Sequence, residues 1–288
     1  MSEPPGPIAP TSETTIDVRG AGLYAETFLP KETPRGVVLI THGYAEHCGR
    51  YREVAHVIVN AGWAALAYDV RGHGQSPGER GFIDHFETYV DDFTAALAAA
   101  RKLVPPNAPT VLLGHSHGSL ITLRALCGDH PPQVAAAVLA SPFLGLRLAV
   151  PRHKKLLAKV ASRLAPKFAQ ANQLRVEDLT HDKAKQAERL ADKLCFDVAT
   201  ARWFTESMAA QDYVAQHAER IKVPTTWLVG GADSIADPGQ SRRVAGRISG
   251  AQYHDLAGLN HEVFNEVDRV KVFGELAKVL TACKAATA

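Results

Sequence analysis

Cysteine is scarce in this chain, which has four in 288 residues. Cys48, Cys127, Cys195 and Cys283 lie far apart, and no two of them form a Cys-x-x-Cys pair. This pattern argues against a disulfide framework and against a cysteine-ligated zinc site, and it is typical of a reducing compartment. We therefore expect a cytoplasmic protein without a metal site.

Long apolar runs are missing as well. No stretch reaches the length of about 18 apolar residues that a transmembrane helix needs. The amino-terminal stretch MSEPPGPIAPTSETT has neither the basic nor the apolar region of a secretory signal. Charge of one sign is not in excess either, since 32 basic and 30 acidic residues give a formal charge of +2. Nucleic acid is therefore not an expected partner.

The chain does contain a regular alternation of strand-like and helix-like segments. Residues 1–12, rich in Pro, Ser and Glu, are expected to be a disordered tail, and TTIDVRG followed by LYAETFLP predicts a β-hairpin. Short apolar runs then alternate with amphipathic segments: GVVLITHG, WAALAYD, TVLLGH, VAAAVLAS, TTWLVGG and AQYHDLAG. This order predicts an α/β fold with a mostly parallel, doubly wound sheet and helices on both faces.

One long interval, residues 142–216, interrupts the alternation. We expect helices and no strand there, which makes it a helical cap insertion between two parts of the core, residues 13–141 and 217–288. Its first half has no acidic residue from Leu144 to Gln170 but seven cations beside an apolar stripe: Arg147, Arg152, Lys154, Lys155, Lys159, Arg163 and Lys167. Such a helix suits an anionic lipid surface. The alternative is a solvated outer face above leucines that pack downward.

The segment Gly114-His115-Ser116-His117-Gly118 lies between a predicted strand and a predicted helix. G-x-S-x-G in this context is the nucleophile elbow of α/β hydrolases. A sharp turn strains the serine backbone, and larger side chains two positions away would collide there. Ser116 is therefore the candidate nucleophile, and the alternative is a tight turn with an incidental serine.

The base and the acid are expected elsewhere in the chain. The residues that flank a serine at a sharp elbow point away from its hydroxyl, and the order nucleophile, acid, base leaves His217, His254 and His261 as bases. His261 follows the last strand, at the sheet edge where catalytic groups converge, so we expect it to be the base. Asp233 follows TTWLVGG and is the expected acid, whereas Asp237 precedes a proline and is typical of an N-cap.

Two backbone N–H groups are expected to form an oxyanion hole. The N–H of His117 comes directly after the nucleophile, and the N–H of Tyr44 follows the tight exit from an earlier strand. A simple βα turn at Tyr44 is the alternative. The imidazole of His117 is expected either to line the pocket or to lie partly solvated at the surface.

Four motifs in this order resemble the monoacylglycerol lipases and related lysophospholipases. They are the HGxxEHxxRY-like segment from His42 to Tyr51, the RGHGxSxG-like segment from Arg71 to Gly78, the Ser116 elbow, and Asp233 with the His261 loop. The similarity extends from Ile16 to Leu280. It is weakest in the insertion, which matches that family's lid domain in position more than in sequence.

The resemblance implies a serine ester hydrolase with Ser116, Asp233 and His261 as its triad and the N–H groups of Tyr44 and His117 as oxyanion donors. The implied substrate is a monoacylglycerol, cleaved to fatty acid and glycerol through an acyl-enzyme without a cofactor. Lysophospholipids, short esters and thioesters are alternatives, and so is a non-catalytic ligand-binding protein on the same fold. That family usually has Met or Gln at the position of His117 and a small or aliphatic residue at Tyr44, so a narrower or more polar pocket is expected.

The remaining polar residues of the first two motifs receive a supporting role. Glu46, His47, Arg50 and Arg71 are expected to form a network that braces the loops around the oxyanion hole, with substrate contact as the alternative. His115 and His117 are not expected to bind a metal, because no carboxylate or cysteine lies at ligand spacing. The basic insertion is expected to allow peripheral contact with membranes or micelles.

Overall fold

The structure is a computed structural model that describes residues 3–147, 151–172 and 174–283. Eight strands of this part form one sheet in the order β1-β2-β4-β3-β5-β6-β9-β10. Their bounds are β1 Ser12–Val18, β2 Ala21–Phe28, β3 Val37–Thr41, β4 Ala64–Tyr68, β5 Thr110–His115, β6 Ala136–Ala140, β9 Thr225–Gly230 and β10 Gln252–Leu256. Every strand that the apolar runs predict is present.

The sheet is mostly parallel. β1 and β2 form the expected antiparallel hairpin, β2 pairs antiparallel with β4, and all other neighbours are parallel. All residues of β3, β4, β5, β6 and β9 are buried, as continuous apolar runs covered on both faces require. The predicted α/β fold class is therefore confirmed.

Helices cover both faces of the sheet, and one hydrophobic core lies between the sheet and the helices on each face. The helices between the core strands are α1 Arg52–Asn60, α2 Glu87–Arg101, α3 His117–Leu126, α8 Pro238–Ala245 and α9 Arg269–Ala282. α2, α3 and α8 pack on one face together with Leu39, and α1 and α9 pack on the other together with Val38 and Ile40. Successive residues of β3 therefore point to opposite cores, because side chains alternate along a strand.

The interval between β6 and β9 carries the elements α4 Arg152–Leu164, β7 Ala169–Ala171, α5 Val176–Leu179, α6 Lys183–Ala191, β8 Val198–Thr200 and α7 Ala201–His217. The expectation of no strand is wrong, since β7 and β8 pair antiparallel. A strand of three residues is too short to show a periodicity, and all three residues of β7 are exposed. We call the whole interval, residues 142–216, the cap.

The apolar stripe of α4 faces outward. Leu156 is 65% exposed and Leu164 is 82% exposed, whereas Ser162 is buried and its hydroxyl lies 2.8 Å from that of Thr205 on α7. Small residues therefore form the face that packs on α7. The alternative in which the leucines pack downward is wrong, because close packing against α7 admits only small side chains on that face.

The amino-terminal segment lies against the core. Ile8 packs on the cluster formed by α1 and α9, Nδ1 of His56 lies 2.7 Å from the Gly6 carbonyl, and Thr11 N–H donates to the Thr27 carbonyl. Disorder over residues 1–12 is therefore wrong from Gly6 onward, because one apolar side chain and two hydrogen bonds fix the segment. The expected tail, cap and second core part also include residues 1–2, 148–150, 173 and 284–288, which lie outside the described residues. The side chains of Arg152, Lys154 and Lys155 do so too.

No helix in the described part of the chain is both long enough and apolar enough to cross a membrane.

Candidate active site

Ser116 lies at a strained turn between β5 and α3. Its backbone has φ 51° and ψ −114°, a conformation that L-residues rarely adopt. A side chain at Gly118 would collide with the carbonyl oxygen of Thr41, and a Cβ at Gly114 would lie 2.8 Å from the Gly118 carbonyl. Only glycine fits at both positions, so α3 can begin close against the ends of β3 and β5 and form the nucleophile elbow.

Ser116, His261 and Asp233 form a continuous hydrogen-bonded relay. Nε2 of His261 lies 2.8 Å from Oγ of Ser116, and Nδ1 of His261 lies 2.7 Å from Oδ2 of Asp233. All three side chains are buried. Since an ionised carboxylate only accepts hydrogen bonds, Nδ1 carries the proton and Nε2 is free to accept the serine proton.

Within the relay, Oδ1 of Asp233 accepts the N–H groups of Ile235 at 2.8 Å and Ala236 at 3.0 Å, which fixes the orientation of its carboxylate.

The other acid and base candidates lie outside this relay. Asp237 caps α8 and accepts from Gly239 N–H, as its position before a proline predicts. His217 is occupied by the Tyr213 carbonyl on its own helix.

A loop after β3 carries the expected second oxyanion donor, Tyr44. We call residues 42–50 the oxyanion loop. Glu46 holds this loop from inside, because its carboxylate accepts the Gly43 N–H at 2.6 Å, the Tyr51 hydroxyl at 2.7 Å and the Arg50 guanidinium at 3.0 Å. Ala45, between Tyr44 and Glu46, has a left-handed backbone with φ 61°. Such a conformation costs a non-glycine residue about 1–2 kcal/mol.

Glu46 and Arg50 extend into a buried ionic network that includes the cap. Arg50 Nη2 lies 2.5 Å from Glu262, and Arg189 of α6 lies 3.3 Å from the other oxygen of the same carboxylate. Burial opposes charge on Glu262, but the charges of Arg50, Arg189 and His115 together outweigh burial and lower the pKa of Glu262. The cations therefore keep both carboxylates ionised.

His115 occupies a position that the sequence reasoning left without a role. Its Nδ1 lies 3.2 Å from Glu46 and its Nε2 lies 3.2 Å from the backbone carbonyl of His261. Both neighbours are acceptors, so a doubly protonated ring satisfies both. Burial disfavours that charge, yet the hydrogen bond and the charge of Glu46 prevail and raise the pKa of His115. His115 thus connects the oxyanion loop to the loop of the expected base, a pairing that only the folded chain creates.

Two residues of the expected bracing network bind elsewhere. His47 Nε2 lies 2.6 Å from Asp192, in the segment that follows α6 of the cap. Arg71 forms two hydrogen bonds to Asp92 on α2, at 2.6 and 2.8 Å. The expected single network therefore comprises Glu46 and Arg50, whereas His47 connects to the cap and Arg71 to α2.

The imidazole of His117 is fully buried, so the surface position considered for it is wrong. Its ring is packed among Tyr44, Phe86, Tyr89 and Trp203 at centroid distances from 5.0 to 6.0 Å. Neither ring nitrogen has a hydrogen-bond partner among the described residues, and burial lowers the pKa of His117 to about 3. The first turn of α3 turns the side chain inward, while the N–H of His117 is one of the first-turn donors without a partner in the helix.

Within the described residues, one group of side chains has the spacing of a metal site. His47, Asp192 and Cys195 each place a potential ligand atom within 4.8 Å of the others. The Nδ1 atom of His47 accepts the Gly49 N–H, so its proton is on Nε2 and is donated to Asp192. The nitrogen that faces the group therefore has no free lone pair for a metal.

A cavity of about 570 Å³ leads from the protein surface to Ser116 and His261. Its wall is mostly apolar, and Leu157 and Phe168 line it although both are more than half exposed. Polar groups of Glu46, Glu262 and Arg189 stand near the serine end. The volume is typical of a site for one small molecule, and its wall combines apolar side chains with these charged groups.

Fold, elbow and relay together define a serine hydrolase with the α/β-hydrolase fold. Residues 32–268 match the family model Hydrolase_4, described as serine aminopeptidase, S33. The chain belongs to this family.

Several relatives extend over nearly the whole chain. A monoacylglycerol lipase of Mycolicibacterium smegmatis is 30% identical, covering 90% of this chain and 92% of its own. A phospholipase of Bacillus subtilis, YtpA, is 28% identical over 84% of this chain and 93% of its own. The crystal structure of a monoacylglycerol lipase of Paleococcus ferrophilus superposes with a TM-score of 0.81, at 27% identity over 90% of this chain and 98% of that one. The resemblance inferred from the motifs is confirmed.

Proposed function

We propose that this protein hydrolyses monoacylglycerols to fatty acid and glycerol, with Ser116 as nucleophile, His261 as base and Asp233 as acid. The observation that carries this proposal is the Ser116–His261–Asp233 relay at the polar end of an apolar cavity. Two consecutive short contacts, from Ser116 to His261 and from His261 to Asp233, are the geometry of nucleophilic catalysis.

The acylation step follows from the relay. Ser116 Oγ attacks the ester carbonyl carbon while its proton moves to Nε2 of His261, and the carbonyl electrons move to the oxygen. The N–H groups of Tyr44 and His117 hold that oxyanion; removing one such donor typically costs about 2.7–4 kcal/mol of transition-state stabilisation. Collapse of the intermediate breaks the ester C–O bond, and His261 gives its proton to the glycerol oxygen that leaves.

Deacylation uses the same groups in the same order. A water molecule gives a proton to His261 and attacks the acyl carbonyl, and the oxyanion hole again holds the negative oxygen. The bond to Ser116 Oγ then breaks, the serine regains its proton from His261, and the fatty acid leaves through the apolar channel. Asp233 keeps the imidazole oriented and stabilises its charge throughout.

An ester substrate suits the site better than the amino terminus of a peptide. Recognition of a peptide ammonium needs a carboxylate that is free to pair with it. The two carboxylates at the cavity floor, Glu46 and Glu262, are each bound to the guanidinium of Arg50. Glycerol hydroxyls can share these charged partners without separating an ion pair. The monoacylglycerol lipases among the relatives support the same choice.

A lysophospholipid is the second candidate substrate. Arg189 lines the cavity, and a guanidinium there could accept a phosphate. The phospholipase of Bacillus subtilis among the relatives points the same way. Against it, Arg189 is paired with Glu262, so a phosphate has to compete with a buried carboxylate.

The cap is proposed to dock on lipid surfaces through α4. Its exposed leucines extend to Leu157 at the cavity mouth, and Lys159 and Arg163 are exposed on the same helix. Apolar side chains flanked by cations, at the entrance of an apolar channel, suit an anionic membrane that supplies the substrate. The protein is thereby proposed to act at membranes as a peripheral enzyme.

Substrate choice is tested by fatty-acid release from 1-monooleoylglycerol and from oleoyl-lysophosphatidylcholine, with Ser116→Ala as the blank. We expect faster release from the monoglyceride and none above background in the variant. Faster release from the lysophospholipid would leave the chemistry in place and transfer the assignment to the second candidate. Equal release by wild type and Ser116→Ala would refute the proposed nucleophile.

Docking is tested by co-sedimentation with phosphatidylcholine vesicles that contain phosphatidylglycerol. The double variant Leu156→Ser, Leu164→Ser should lose most of the binding, because burial of a leucine contributes roughly 1.5–3 kcal/mol. The control Leu29→Ser, Val267→Ser changes two exposed apolar residues that lie outside the cap and should bind as the wild type does. Equal binding by the α4 variant and the wild type would show that α4 does not dock.

A further inference from the structure

A segment of the cap crosses directly over the oxyanion loop. We call residues 189–198, from the end of α6 to the start of β8, the strap. It contacts the loop at three residues, Tyr44, Ala45 and His47. These contacts hold the loop on its outer side, whereas Glu46 holds it on its inner side.

The strap binds the strained point of the loop. The carbonyl of Ala45 accepts the backbone N–H of Phe196 at 3.3 Å and the guanidinium of Arg189 at 3.3 Å. Ala45 is the residue with a left-handed backbone, and such a conformation persists only where its surroundings hold it. Two donors from the strap supply that restraint.

The side chain of Tyr44 is held by the same part of the cap. Its hydroxyl donates to the Val198 carbonyl at 2.6 Å, and its ring lies 5.5 Å from that of Phe196 and 3.8 Å from that of Trp203. The backbone N–H of Tyr44 is the proposed oxyanion donor. A displacement of the strap therefore acts on the residue that carries this donor.

A partly buried hydrogen bond holds the far end of the loop. His47 lies 2.6 Å from Asp192, and the carboxylate of Asp192 also accepts the Leu194 N–H at 2.9 Å. Nδ1 of His47 accepts the Gly49 N–H, which fixes its ring. The strap thus contacts the loop both before Glu46, at Ala45, and after it, at His47.

We propose that the strap positions the oxyanion hole, so that the protein is catalytically competent only when residues 189–198 are seated on the loop. The inference rests on the proposed function, in which Tyr44 N–H is an oxyanion donor. An oxyanion hole acts only when its donors are held in place before the charge develops. Tyr44, through its side chain, and Asp192 are then positioning residues, and cap movement would control turnover as well as access.

The test removes single strap contacts and leaves the backbone donor in place. Tyr44→Phe removes the hydrogen bond to Val198, and Asp192→Ala removes the contact to His47. Kinetics are measured with p-nitrophenyl butyrate, together with inhibition by an alkyl trifluoromethyl ketone, which forms a hemiketal with Ser116 whose oxyanion needs the same donors. We expect kcat to fall roughly tenfold for each variant, KM to stay within about twofold, and the inhibition constant of the ketone to rise in step with the loss in kcat.

Matched controls separate positioning from general damage. Tyr253→Phe removes an equivalent bond, from a tyrosine hydroxyl to the Pro238 carbonyl at 3.1 Å, and should leave kcat unchanged. Asp192→Asn keeps an acceptor for His47 and should retain most of the activity. Thermal midpoints of all variants confirm folding.

Two results would overturn the proposal: kcat equal to that of the wild type in both strap variants, or a rise in KM with unchanged affinity for the ketone. A wild type that hydrolyses no ester and binds no ketone would refute the proposed function itself, and this inference with it.

Discussion

His117 shows how one residue beside the nucleophile carries two separate consequences. Its backbone N–H, at the start of α3, is a proposed oxyanion donor, while its ring is buried among aromatic side chains with no partner for either nitrogen in the described part of the chain. Protonation of a buried imidazole that has no partner destabilises the folded chain, because the charge is removed from water. The ring therefore makes the stability of the protein depend on pH.

The substitution His117→Met should make the protein less sensitive to acid. The pKa of His117 is lowered from 6.5 to about 3 in the folded chain. Between these two pH values the unfolded chain therefore binds a proton at this residue and the folded chain does not. Its contribution to the free energy of unfolding is full above about pH 6.5 and is lost as the pH falls toward 3, by about 1.4 kcal/mol per unit. Urea unfolding at pH 7.5, 6.0 and 5.0 measures this slope.

The change in the free energy of unfolding with pH is compared between the wild type and His117→Met. Other groups with lowered pKa values, His42 and His73, contribute equally to both proteins. The exposed residue His130 provides the control His130→Met. A slope for His117→Met as steep as that of the wild type would contradict the assignment of a buried neutral ring.

At the scale of elements, α3 and α9 show opposite demands on glycine. α3 begins against the end of β3, where a side chain at Gly118 would meet the carbonyl oxygens of Thr41 and His42. Gly274 lies within α9, and a Cβ there would meet nothing within 4 Å. Glycine is thus required in α3, where the helix lies close to the backbone of β3. In α9 it only lowers the stability of the helix.

Gly118→Ala and Gly274→Ala should therefore change stability in opposite directions. The first forces backbone atoms apart and should lower the free energy of unfolding by at least about 2 kcal/mol. The second gains helix propensity and should raise it by roughly 0.5–1 kcal/mol. Urea denaturation of both variants at neutral pH gives the comparison, and effects of equal sign would disprove this account of the elbow.

In the molecule as a whole, charged side chains at the start of α6 join the cap to the core. Arg269 at the start of α9 binds Glu53 of α1 and Asp182, the N-cap of α6, both at 2.8 Å. Lys185 of α6 also reaches Glu53, at 2.7 Å. The cap is therefore anchored at its α6 end to two core helices.

Arg269→Met should destabilise the protein by about 2 kcal/mol or more, because it leaves Glu53 and Asp182 short of a nearly buried partner. Lys278→Met removes an exposed pair with Glu275 on the same helix and should change stability by less than about 0.5 kcal/mol. Chemical denaturation measures both. A small loss for Arg269→Met, equal to that of Lys278→Met, would show that this anchor contributes little.

The sheet, the elbow and the order of the relay follow from the amino-acid sequence. Buried strands read as apolar runs, because a strand covered on both faces has no polar side. The glycines at 114 and 118 follow from a steric need within five residues. Ser116, Asp233 and His261 could be found because each lies in the turn or loop that follows a strand, and parallel strands end at one edge of the sheet.

The surroundings of that relay depend on contacts that form when the chain folds. His115 meets Glu46 and His261, Arg50 meets Glu262, and the strap meets Ala45 across 144 or more positions of the chain. No local pattern encodes such pairings, because they depend on which loops the sheet edge brings together. The outward stripe of α4 was undecided for the same reason: a helix period shows that leucines share a face, and only packing against α7 determines which way that face points.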